Sequence, residues 1–123
     1  MHKPALSVLT LVFAAACGGS LPPPDQRLTE AEAAVRSASE LGAESDPGAA
    51  LSLKLATEQI TLAKSAITRE DNARADALLI RAKADAELAI AQTREKVARA
   101  RKQEAIRDSA DQRATNSKEG AAQ

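Results

Sequence analysis

DPGAALSLKLATEQITLAKSAITREDN, residues 46–72, is the stretch whose reading decides the fold. Asp46 followed by Pro47 is a helix start: an aspartate at the N-cap, then a proline whose φ is already helical and whose missing N–H costs nothing there. Leu53, Ala56, Ile60, Ala63 and Ile67 then step by 3, 4, 3 and 4, the spacing of a helix that packs along a narrow seam. Leu51, Leu55 and Leu62 widen that face, while Thr57, Glu58, Lys64 and Ser65 lie away from it. The pattern breaks at Arg69-Glu70-Asp71-Asn72, where Asp71 or Asn72 can cap a new helix. A tight turn there makes the helices on either side an antiparallel hairpin.

Downstream, no Gly or Pro occurs from Ala73 until Gly120, and the composition between them favours helix throughout. Two apolar stripes run along this long segment. One collects Leu78, Leu79, Ala82, Ala86, Ala89, Ile90 and Val97; the other collects Ile80, Ala84, Leu88, Ala91 and Ala98. The first can face the preceding helix. The second needs a cover, either an earlier helix or another molecule, so a protein partner or self-association is expected. Beyond Ala91 the segment outruns its hairpin partner, and from Ala114 its polar composition reads as a disordered tail, residues 114–123.

Upstream, Thr29 stands three residues before Glu32, the spacing of a capping box. Ala31, Ala34, Val35, Ala38 and Leu41 follow on one stripe, and Gly42 suits a left-handed stop. The expected fold is therefore all-α: an antiparallel helical hairpin with a long C-terminal helix, braced by a short first helix, with the helical body spanning residues 28–113.

The N-terminus reads as an export signal, residues 1–16: Lys3 near the start, then an apolar run from Ala5 to Ala16. That run is too short to span a bilayer, which takes roughly 20 residues. It closes on Ala14-Ala15-Ala16-Cys17, which resembles the lipobox of bacterial lipoproteins, with Ala14 where Leu is commonest. The resemblance implies cleavage before Cys17 and a diacylglycerol on its sulfur, with further acylation of the new amino group. A single acyl chain holds a protein only marginally, so several chains suit a stable anchor. Plain secretory cleavage after Ala16, leaving a free thiol, is the alternative. Residues 17–27 form the lipidated cysteine and a Gly/Pro-rich linker, with Gly18-Gly19-Ser20 flexible and Pro22-Pro23-Pro24 a short spacer. No Asp follows Cys17, and lipoprotein sorting habits then imply the outer membrane, facing the periplasm.

What remains from Cys17 to Gln123 is 107 residues, one small domain. The only His, Phe and Met lie in the leader, so the mature chain has no imidazole and no aromatic ring, and its one thiol is the lipidated Cys17. Losing Lys3 leaves 16 bases against 17 acids, a charge of −1. Nucleic acid, which needs a basic footprint, is not an expected partner. His or thiolate metal sites and stacking platforms for bases are excluded too, and no cofactor is expected. Asp85 with Glu87 and Asp108 with Asp111 are carboxylate pairs, read here as solvated charge, because acid–base work needs a pocket that parts their pKa values. No nucleophile has a partner to activate it, and no enzyme is expected.

Arg94, Lys96, Arg99, Arg101 and Lys102 form the most basic segment and the candidate interaction surface. Glu95, Glu104, Asp108 and Asp111 alternate with it, which favours pairs within the helix over an anionic ligand.

Leu28, Ala31, Ala34, Ala38, Gly42-Ala43, Asp46-Pro47, Leu51, Leu55-Ala56, Leu62, Ala66 and then Glu70-Asp71, Ala73, Ala75, Leu79, Ala82, Ala86 and Ala89 together resemble the domain of unknown function 4398, a family of Gram-negative envelope lipoproteins. Members often carry an aromatic residue after the turn Asp, where this chain has Asn72. The resemblance implies an all-helical shape and an envelope location, and brings no activity or catalytic residue. Two functions follow as expectations: a lipid-anchored interaction module or spacer, or a module binding peptidoglycan or another anionic surface through the basic segment.

Overall fold

The computed structural model describes residues 21–121; the leader, Cys17 and Gly18–Ser20 lie outside them. Three α-helices follow one another, α1 (Asp25–Glu40), α2 (Pro47–Thr68) and α3 (Asn72–Ala121), with a single 3-10 turn at Ala43–Ser45 between the first two. Among the described residues there is no strand.

The hairpin forms as its capping chemistry requires. The Ala49 N–H donates to Asp46 Oδ2 at 3.1 Å, and Pro47 opens α2. At the other end the Asp71 and Glu70 amides donate to the Ala66 and Ile67 carbonyls at 3.0 and 2.9 Å, the paired bonds of a Schellman stop. That stop puts Glu70 at φ 60°, a left-handed conformation normally left to Gly or Asn. Asp71 then caps α3, accepting from the Arg74 N–H at 3.2 Å. Three side-chain contacts fix the register: Gln59 with Asp85, Ser52 with Gln92 and Asp46 with Lys96. As the number falls on α2 it rises on α3, so the two run antiparallel.

The seam is built mostly of alanine. Ala49, Ala56, Ala63 and Ala66 of α2 and Ala75, Ala82, Ala86 and Ala89 of α3 are all fully buried. Small side chains let the helix axes approach toward the lower end of the usual 8–10 Å spacing. Leu53, Ile60 and Leu79 supply the bulk between them, and of these Leu79 is the one large side chain sealed completely. Helix α1 lies in the groove of the hairpin, burying Ala31 and Ala38, with Leu28 and Val35 against the same core. It is pinned by Arg27 to Asp76 and Glu30 to Lys83 on α3, and by Glu32 to Lys64 on α2.

Several expectations need correction. Helix α1 begins at Asp25, and no capping box forms: the Thr29 hydroxyl donates to the Asp25 carbonyl one turn back, and Glu32 is committed to Lys64. The linker is correspondingly shorter than residues 17–27. Leu51, Leu55 and Leu62 do not widen the buried face; they are 59%, 40% and 51% exposed, because a three-helix arrangement covers only one side of α2. The second stripe of α3, Ile80, Ala84, Leu88, Ala91 and Ala98, is exposed as well, since α1 packs beside the first stripe. Val97 sits beyond the bundle and is exposed. The tail expected from Ala114 is helical through Ala121, with the Thr115 and Ser117 hydroxyls donating to carbonyls of the preceding turn. Gly120 does not interrupt it.

Candidate functional site

The bundle ends at Thr93, the last buried residue of α3. From Arg94 to Ala121 every described side chain is exposed, an arm of 28 residues about 42 Å long. The five basic residues singled out in the sequence all lie at its root. The helix winds them apart. Lys96 turns toward the α1–α2 connection, where its Nζ donates to the Ser45 carbonyl at 2.8 Å and stands 3.7 Å from Asp46 Oδ1. Arg99 pairs with Glu95 one turn before it. These two cations are neutralised locally. Of the expected intrahelical pairs only this last one forms; Glu104, Asp108 and Asp111 make no ion pair among the described residues.

Arg94 and Arg101, seven residues apart, share a different side of the arm. With Leu41, Thr93, Val97 and Ala98 they line an open notch of about 320 Å³ just past the end of α1. Neither guanidinium has an acidic partner among the described residues. Two planar, permanently charged donors beside an apolar floor can hold a carboxylate carried on an apolar neighbour. Lys102 is separate again, lining a shallow depression with Ala105, Ile106 and Ser109.

A cleft of about 600 Å³ lies at the opposite end of the bundle, between the segment Leu21–Arg27 and the first turn of α3. No local residue pattern announces it. Its closure is made by Asn72, whose side-chain amide donates to the Leu21 carbonyl across 51 positions of chain. Asp85 is not the plain surface charge expected: it accepts from Gln59 Nε2 at 2.7 Å and ties α3 to α2. Among the described residues no three His, Cys, Asp or Glu side chains gather to hold a metal ion. No helix among them is long and apolar enough to cross a membrane.

One ion pair titrates with consequence. The hydrogen bond from Lys83 lowers the Glu30 carboxyl below its usual range, and the same bond raises the Lys83 ammonium above its own. A lowered carboxylate stabilises the folded state above its unfolded pKa and loses that contribution as pH falls through the folded value. A raised lysine contributes below its unfolded pKa and loses it as pH climbs through the folded one. Docking of α1 is therefore expected to hold through neutral pH and weaken at the acid and alkaline extremes. Both groups stay half-open to solvent, so the effect is small. Amide exchange of α1 measured against pH should show acid loosening in the native chain and less of it in Lys83→Met.

These features define a class: an all-α bundle of three helices, prolonged by one helix that leaves it as a solvated arm. The chain belongs to the family described as Domain of unknown function (DUF4398), whose model matches residues 26–105. That span takes in α1 from its second residue, all of α2 and the root of the arm, with all five basic residues. No curated protein and no solved structure matches the chain.

Proposed function

We propose that this protein is a lipid-anchored component of the cell envelope, held through Cys17, whose helical body is a non-catalytic spacer and interaction module. The outer membrane, facing the periplasm, is its address in this reading, since no Asp follows Cys17. One observation carries the reading. The N-terminal segment joins the bundle at the α2–α3 turn, where Leu21 meets Asn72, and the arm of α3 leaves from the other end. An anchor at one pole and a free helix at the other is the layout of a reaching device.

The arm's root supplies contacts for a protein better than for a wall polymer. Lys96 and Arg99 are already paired, and the arm carries no aromatic ring to stack on a sugar. The notch between Arg94 and Arg101 suits an acidic side chain beside an apolar one, as on a partner helix.

Fractionation of cells carrying Cys17→Ala tests the anchor. The native protein should sediment with membranes and be released by detergent alone, while the variant should stay soluble or remain unprocessed. Native protein found in the soluble fraction would sink the reading.

A further inference from the structure

We propose that the α2–α3 turn end of the bundle rests against lipid headgroups and holds α3 upright, its tip facing away from the bilayer. This rests on the anchoring reading above and gives it an orientation.

Three observations carry it. First, the linker is not free down to Leu28. The Asn72 amide holds the Leu21 carbonyl at 2.5 Å, and Asp25 and Leu28 donate to the Pro23 and Pro24 carbonyls at 3.0 Å each. The chain is thus part of the bundle from Leu21 onward. Between Cys17 and Leu21 there are four residue steps, which reach about 14 Å at full stretch. The turn end can never stand farther off than that.

Second, that end tolerates a headgroup layer. Arg27, Arg69 and Arg74 stand there with Asp25, Glu70, Asp71 and Asp76, a net charge of only −1, so neither strong attraction nor strong repulsion disturbs the approach, and the large apolar side chain there, Leu21, is 58% exposed.

Third, the arm is poorly built for the alternative posture, so the only apolar sides that could lie down are the uncovered ones of the bundle, Leu51, Leu55 and Leu62 on α2 and Ile80 and Leu88 on α3. A helix lying in the interface needs one apolar side and one charged side. Residues 94–121 do not segregate in this way. Arg94, Lys96, Arg99, Lys102, Asp108 and Asp111 point around the whole circumference, and Val97 and Ile106 fall on different sides at 100° per residue. With α3 at 50 residues, the upright posture places its tip about 75 Å above the turn.

The chain contains no Trp, so a single Trp introduced at an exposed site is a clean reporter. Arg74→Trp, Ala98→Trp and Ser117→Trp mark the turn, the root of the arm and its tip. Each protein is taken from the envelope and reconstituted in vesicles of phosphatidylethanolamine and phosphatidylglycerol carrying a headgroup spin label. Arg74→Trp should be quenched several-fold more than Ala98→Trp, and Ser117→Trp should be untouched. Adding Asn72→Ala to Arg74→Trp frees the linker to Asp25 and should reduce its quenching. Equal quenching at all three positions means a body lying flat and overturns the proposal, as does strongest quenching at the tip. Quenching at Arg74→Trp that ignores Asn72→Ala overturns the clamp. Flotation with the vesicles is read beforehand. If the protein does not float, the anchoring reading fails by itself; the free Cys17 thiol is then coupled to a maleimide lipid and the same three positions still decide the orientation.

Discussion

Leu79→Ala is expected to cost about 2–5 kcal/mol of folding stability, the range for emptying a sealed core position. Leu79 is only 1% exposed and belongs to the cluster in which all three helices meet, with Ala31, Ile60, Ala63, Ala66, Ala75 and Ala82. Its fully buried neighbours are mostly alanines, with Leu28, Val35, Ile67 and Leu78 at the edge of the cluster. The alanines have no spare side chain to swing into the hole, so the cavity should persist and the cost should fall in the upper part of the range. Such a loss is a large share of the roughly 5–15 kcal/mol that a folded domain possesses. Thermal or urea unfolding followed by helical circular dichroism measures it. Leu88→Ala is the control: that side chain is 48% exposed on the uncovered side of α3 and should change stability by no more than about 0.5 kcal/mol. Equal losses from the two substitutions would mean that the outer face is covered and the assignment of the core is wrong.

Ala82→Leu is expected to destabilise in the opposite way, by about 1–3 kcal/mol through overpacking. Ala82 is fully buried in the same cluster as Ala63. At a spacing set by methyl groups a leucine side chain has no room, and α2 must move outward to admit it. That movement drags the Gln59–Asp85 and Ser52–Gln92 contacts with it, since both bridge the same pair of helices. The measurement is again unfolding, joined by amide exchange. Protection should fall along both α2 and the first half of α3, whereas the arm, exposed from the start, should not change. A neutral or stabilising result would mean that the seam is loosely packed.

How far the sequence reaches can be judged from particular residues. The start of α2 and the turn before α3 were legible because their causes are local: Asp46 and Pro47 act within one turn, and so does Asp71. The seam was legible because 3-4 spacing survives any choice of partner. The start of α1 was not. Thr29 and Glu32 fit a capping box, yet the preceding Pro23 and Pro24 carbonyls accept from Asp25 and Leu28 and wind the helix earlier. Glu70 gave no warning of its left-handed backbone, because a Schellman stop is usually announced by Gly. Leu51, Leu55 and Leu62 look like core in the sequence because periodicity says which residues share a side, not how many sides are covered. The clamp of Asn72 on Leu21 joins positions 51 apart, and nothing in either neighbourhood encodes it.

The basic segment shows the same limit at the site. Read as a string, Arg94 to Lys102 is one patch. Wound on a helix it becomes a paired side, with Lys96 on Asp46 and Arg99 on Glu95, and an unpaired side, with Arg94 and Arg101 flanking Val97. The separation by angle follows from 100° per residue, but the acids that neutralise one side include Asp46, which only the fold brings near. What distinguishes the two sides chemically is therefore tertiary.

Whether this bundle is tied to a bilayer at all comes down to the mass of the processed polypeptide. Intact-mass spectrometry of the protein extracted from cell envelopes should find a chain beginning at Cys17 and heavier than its amino acids by a diacylglycerol and a further acyl group. A chain beginning at Cys17 with no added mass, recovered without detergent, would contradict the account.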